Sequence, residues 1–180
     1  MRVMGLDPGS RRTGWGIIDR TGNRYTAVAF GDVAPPDKVS LSVRLFALAA
    51  RIGSIMDEYR PQCVAVEEAF YHHSVRSTLV LGHVRGALLV AAAEREFDVA
   101  EYTPRAIKLA VTGSGAAAKE QVEFMVRRVL GIQERMSADA SDGLAVALCH
   151  LHRAVRLPAL ALITPGADRP RFRRGRKVRA

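Results

Sequence analysis

The chain has 180 residues, 48% hydrophobic and 25% charged, a balance that excludes a disordered polymer and suits one globular domain with a proper core. Its two cysteines, Cys63 and Cys149, are too few and too far apart for a disulfide scaffold, and they read as buried reduced thiols. Of the net charge of +9, seven cations fall in the terminal run RPRFRRGRKVRA (169–180), which leaves +2 for residues 1–168.

The first apolar run, VMGL, is too short for a signal peptide and ends at Asp7, and no apolar stretch approaches a membrane span, so the expectation is a cytoplasmic protein. MRVMGL reads as a short buried strand and TGWGIID as a second. NRYTAVAFGDV is a third, with Tyr25, Ala27 and Ala29 alternating against Thr26, Val28 and Phe30. Short turns between them make an antiparallel meander. Leu41, Leu45, Leu48, Ile52, Ile55 and Met56 recur at helical spacing, predicting a helix from about Ser40 to Tyr59 that Pro61 stops. CVAVE is an uninterrupted apolar run, as expected of a parallel strand covered on both faces. A helix over about Val75–Phe97 and a fifth strand, DVAEYT, follow. After TGSGAAAK come a helix with Val122, Met125, Val126 and Val129 on one face, and a last helix over about Ala138–Val155. Right-handed crossovers on such a meander give a five-stranded mixed α/β sheet flanked by helices on both faces. Residues 1–157 form this domain; 158–180 are a basic tail, either solvated or binding a polyanion.

Four acids stand out. Asp7 follows the first strand and Glu67 the run CVAV, and functional groups of α/β sheets gather beyond the carboxyl ends of strands. Asp139 and Asp142 are three apart, so they project from one face of the last helix's first turn. Each alone reads as a turn or helix-start acid. Together, converging carboxylates resist ionisation unless cations neutralise them, and hard divalent metals with oxygen ligands do this. Two such ions suit hydrolysis of a phosphodiester. Glu68 competes with Glu67; strand alternation lets only one share Asp7's side, and spacing does not decide which.

The motifs GLDPGSRRTGWG, AVEEAF, LGHVRGA and SADASDGLAVA, in this order and spacing, resemble the RuvC family of bacterial Holliday-junction resolvases, from Met1 to about Arg153. The resemblance implies a ribonuclease H-like fold and a homodimer. It implies nicking of opposed strands of four-way DNA with Mg²⁺ or Mn²⁺, two ions per site, leaving 5′-phosphate and 3′-hydroxyl ends, and association with the RuvA and RuvB branch-migration proteins. By motif, the metal-binding acids are Asp7, Glu67, Asp139 and Asp142; the family's pattern selects Glu67 over Glu68. Lys108 and Lys119 match basic residues that grip phosphate near the scissile bond. Phe70 and Tyr71 match aromatics that can stack on an unpaired base, and Arg76 and the tail arginines Arg171, Arg173 and Arg174 complete the candidate DNA contacts.

His72, His73 and His83 stand where relatives are expected to carry Asn- or Gln-like residues; adjacent histidines rarely share a metal, so they read as exposed or DNA-facing. TGSGAAAKE superficially resembles a P-loop, but Ala118 and Glu120 replace the second glycine and the metal-binding hydroxyl, leaving a flexible loop that enters a helix. A sugar-kinase-like ATPase would need a second phosphate-loop domain, and no second copy exists here. A non-catalytic junction binder would keep its function without the four acids, and an RNA–DNA hybrid nuclease would prefer hybrid to junction.

Overall fold

The computed structural model describes residues 1–68 and 74–156. Its chain opens with an antiparallel meander, β1 (Arg2–Asp7), β2 (Thr13–Thr21) and β3 (Arg24–Val33). There follow α1 (Leu41–Tyr59), β4 (Cys63–Glu67), α2 (Val75–Ala93), β5 (Asp98–Tyr102), α3 (Pro104–Thr112), α4 (Lys119–Leu130) and α5 (Ala138–Arg156). β4 pairs in parallel with both β1 and β5, giving the expected five-stranded mixed sheet in the order β3-β2-β1-β4-β5.

The continuous apolar runs of β1 and β4 are explained by cover on both faces. On one face Met4, Leu6, Ile17, Val64 and Val66 meet Leu48, Ile52, Ile55 and Met56 of α1 and Val84, Leu88 and Ala92 of α2. On the other, Val3, Ile18 and Ala65 meet α3, α4 and above all α5, whose Leu144, Leu148 and Leu151 are fully buried. Cys63 and Cys149 are buried free thiols, as expected.

Three differences from the expected elements have physical reasons. The nine-residue helix α3 lies where none was expected. It buries only Ile107 and Val111, too little periodicity to announce itself, although Thr103 caps it, Pro104 opens it and Gly113 ends it. Together with the turn after it, α3 leaves little free loop in TGSGAAAK; Ala117 is buried there. In β3 the simple alternation fails, because Ala27 pairs with Ile18 and Ala29 with Ile17, so Val28 is an extra bulged residue. Beyond the bulge the parity reverses, and Phe30 joins Tyr25 and Ala27 against the α5 side. Finally, Val75–Ala93 is a helix long and apolar enough to cross a membrane, with mean hydropathy 1.3, which corrects the expectation that no stretch approached that length. Its Val84, Leu88 and Ala92 pack with α1 against the sheet.

Three of the four glycines of GLDPGSRRTGWG, Gly5, Gly14 and Gly16, make room for α5. A Cβ on Gly5 would lie 2.1 Å from the Gly143 carbonyl oxygen and 2.4 Å from the Ala147 nitrogen, and one on Gly14 only 1.8 Å from the Asp139 carbonyl oxygen. A Cβ on Gly16 would likewise lie 2.8 Å from the Leu144 nitrogen, so helix backbone rests on strand backbone at three points. Gly5→Ala should lower stability by about 1–3 kcal/mol through overpacking, read as a fall in denaturant midpoint at constant slope; an unchanged midpoint would show that α5 is not seated on β1 in this way.

Candidate active site

Asp7 and Glu67 are the last residues of adjacent parallel strands. The register pairs Leu6 with Val66, so the next position sets Asp7 beside Glu67. Both follow residues directed into the α1–α2 layer (Leu6 and Val66), so both face α5. Glu68 points the other way, and its N–H is tied to the Tyr102 carbonyl at 2.9 Å. The register thus resolves the choice that spacing left open, in favour of Glu67.

From above, α5 brings Asp142. A pocket of about 230 Å³ is lined by Asp7, Glu67 and Asp142, by Lys108 of α3 and Lys119 of α4, and by Pro104, Ile107, Val122 and Ala145. The Lys119 ammonium donates to the Asp142 carboxylate at 2.7 Å. Asp139 sits half-buried in the first turn of α5, outside the pocket lining, but close enough that its charge acts on both Asp7 and Asp142. Five of the six expected catalytic side chains therefore share one pocket, and the sixth adjoins it.

Burial dominates the electrostatics. It pushes the Asp7 carboxyl up to about 6, with the charges of Asp142 and Asp139 adding to the shift and Lys119 opposing it. Burial pushes Glu67 up to about 8, with the charges of Asp7 and Asp142 adding to the shift and Lys119 and Lys108 opposing it. Asp142 is likewise raised by burial, against the pull of Lys119. Lys119 is raised above the usual lysine range by its hydrogen bond to Asp142. An all-oxygen donor set whose acids are held from ionising in a half-dry pocket fits a hard divalent cation, whose charge would return them to the carboxylate form. Among the described residues no three such groups yet close on a single point; Lys119 neutralises part of the acid instead.

The remaining candidates lie elsewhere. Arg76 is exposed in the first turn of α2 and does not line the pocket, and His83 is exposed on the outer side of the same helix. Phe70, Tyr71, His72, His73, Arg171, Arg173 and Arg174 lie outside the described residues. A further surface escaped the sequence reading. Only 28% of the apolar helix α2 is buried. Val75, Leu79 and Val90 are 57–65% exposed, and no atom approaches within 4 Å of where a Cβ would stand on Gly82 or Gly86. The available signal was an apolar character running all round the helix, with glycines four apart.

The fold is ribonuclease H-like, and its pocket gathers three acids and two lysines at the ends of two parallel strands. A sequence model of the family described as crossover junction endodeoxyribonuclease RuvC matches residues 3–150. The crossover junction endodeoxyribonuclease RuvC of Rhodospirillum rubrum is 46% identical over 169 residues, covering 94% of this chain and all of that protein. Its counterpart from Bordetella parapertussis is 44% identical over 181 residues, covering 99% of this chain and all of that protein. The structure of Thermus thermophilus RuvC in complex with Holliday junction substrate is 34% identical, covers 86% of this chain and 94% of its own, and superposes with a TM-score of 0.80. The chain belongs to the RuvC family of crossover junction endodeoxyribonucleases.

The raised carboxyls carry a signed consequence for metal-free protein. A carboxyl that ionises near 6 or 8 in the fold but near 4 in the unfolded chain favours folding fully below about pH 4, and that advantage is lost as pH rises through 6 and 8. Without metal, Glu67→Gln should therefore raise Tm at pH 8 by roughly 4–8 °C, worth about 2 kcal/mol, and have little effect at pH 5. Calorimetry at the two pH values checks this; an equal or greater gain at pH 5 contradicts it.

Proposed function

We propose that this protein resolves four-way DNA junctions by hydrolysing one phosphodiester in each of two opposed strands. The observation that carries the reading is the shared pocket at the end of β1 and β4, where three acids and two lysines from five different elements meet. Asp7, Glu67 and Asp142 would hold the cations with Asp139 beside them, Mg²⁺ or Mn²⁺ and two per site. Bound there, the cations supply Lewis acidity toward the scissile phosphate and its attacking water.

The chain's own residues do the rest. Lys108 and Lys119 present ammonium groups at the pocket wall, where they meet phosphate oxygens and offset the negative charge that builds as the bond breaks. Pro104, Ile107, Val122 and Ala145 limit water on the inner side, which keeps those interactions strong. Attack in line with the leaving 3′-oxygen leaves a 5′-phosphate and a 3′-hydroxyl, ends suited to ligation. Arg76, the aromatics Phe70 and Tyr71 and the tail arginines would extend the grip on DNA beyond the pocket.

Resolution requires two nicks, and a homodimer supplies them. What supports the dimer is the uncovered face of α2, where the exposed Leu79 and Val90 flank two glycines that permit close backbone approach to the same helix of a second copy. The RuvA and RuvB branch-migration proteins, in the cytoplasm, are the expected source of its junctions.

The test is nicking of a synthetic four-way junction against linear duplex in Mg²⁺. Wild type should nick the junction symmetrically. Asp7→Asn should bind it without cutting, and Lys119→Met should lose ~10²-fold in kcat; full activity in Asp7→Asn, or linear duplex cut as fast as junction, contradicts the reading. Separately, Leu79→Glu should convert a dimer to a monomer in analytical ultracentrifugation and uncouple the paired nicks. A Leu79→Glu protein that remains dimeric places the interface elsewhere.

A further inference from the structure

One charged network near the pocket is not used by the chemistry above. The strand register sets Asp7 opposite Gly14 and Gly14 opposite Asp32, so Asp32 stands in the same row as Asp7, two strands away, roughly 10 Å at ordinary strand spacing. Above the gap between them, over Gly14, sits the backbone of Asp139. The Asp32 carboxylate is half-buried and fully engaged. One oxygen is ion-paired with the Arg12 guanidinium, in the loop that follows Asp7. The other accepts from the Ser137 hydroxyl at 2.9 Å. That same hydroxyl oxygen accepts from the Ala140 N–H at 3.2 Å, which caps the N-terminus of α5. A continuous chain, Arg12–Asp32–Ser137–Ala140, thus joins the loop after one acid-bearing strand to the first turn of the acid-bearing helix.

From this we infer that Asp32 is a positioning residue: through Arg12 on one side and Ser137 on the other, it sets the spacing between Asp7 on β1 and Asp139 and Asp142 on α5. The inference rests on the nuclease reading. Gly5 and Gly14 allow α5 to approach the sheet, but glycine contacts do not fix the helix along its own axis, whereas a directional bond from β3 to its cap does. The Val28 bulge makes this possible. Without the reversed parity Asp32 would project into the α1–α2 side of the sheet, away from Ser137. Ligand spacing is what a pair of carboxylate-bound cations is most sensitive to, so loosening the cap should act on metal affinity and turnover before it acts on DNA affinity.

The experiment uses the full chain, with three measurements on Asp32→Ala, Ser137→Ala, their double variant and Ser137→Thr. These are exchange of the Ala140 amide in metal-free protein, the Mg²⁺ concentration that half-saturates the thermal shift without DNA, and kcat and KM on a four-way junction. Asp32→Ala and Ser137→Ala should each speed Ala140 exchange, raise the half-saturating Mg²⁺ on the order of tenfold and lower kcat with KM unchanged. The double variant should be no worse than the worse single, and Ser137→Thr, which keeps the hydroxyl, should be close to wild type. Asp32→Asn, which keeps an acceptor but loses the ion pair, should fall between and guards against a misfolded alanine variant. Faster exchange with unchanged Mg²⁺ half-saturation and kcat would reduce the network to a helix cap and overturn the inference. So would an Asp32→Ala protein whose Ala140 exchange is unaltered. A wild-type protein that does not nick junctions refutes the nuclease reading alone, since the exchange and thermal-shift arms still report on the network.

Discussion

Helix α5 rests on β1 and β2 backbone to backbone, and the position of every acid in the pocket depends on that contact. With no side chain at Gly5 or Gly14, the Gly143 and Asp139 carbonyls can approach the strands to distances that any Cβ would forbid. The first turn of α5 is thereby lowered onto the row of residues that ends β1 and β4. Asp142 comes from above, Asp7 and Glu67 from below, and α3 and α4 close the side with Lys108 and Lys119. Each element brings one or two groups, and none of them alone makes a site.

This arrangement costs stability. Carboxyls that belong in water are pressed into a half-dry pocket against one another; burial and mutual repulsion raise the pKa of Asp7 and Glu67, and Lys119 is drawn onto Asp142. Positive charge brought into the pocket would relieve that repulsion. The same electrostatics that penalise the empty fold favour cation binding, so affinity for the metal and stability without it move in opposite directions.

The strand and helix order was largely legible because the chain writes its burial plainly. Two-sided strands such as CVAV are apolar throughout, and the long helix α1 repeats leucine and isoleucine at helical spacing. Asp7 and Glu67 were legible as acids ending buried strands, and Asp139 and Asp142 as a pair sharing one helix turn. What escaped depended on register or on short range. Glu67 and Glu68 differ only by which side of the sheet they face, and that is decided by pairing with β1. Asp32 was hidden by a single bulged residue that inverts the alternation of β3. Helix α3 buries two side chains and offers too few repeats to be seen. Nothing within GLDPGSRRTGWG itself shows that Gly5, Gly14 and Gly16 make room for a helix that begins more than 120 residues later.

The central claim is that Asp7, Glu67 and Asp142, with Asp139 adjoining, form one site for divalent cations. The most direct measurement is a crystal structure of the protein soaked in Mn²⁺, with anomalous scattering recorded at the manganese edge. The account predicts anomalous peaks in the pocket, within coordination distance of Asp7, Glu67 and Asp142 oxygens, with the Lys119 ammonium drawn off Asp142. Peaks only elsewhere on the surface, with the Lys119–Asp142 pair intact at saturating Mn²⁺, would contradict it.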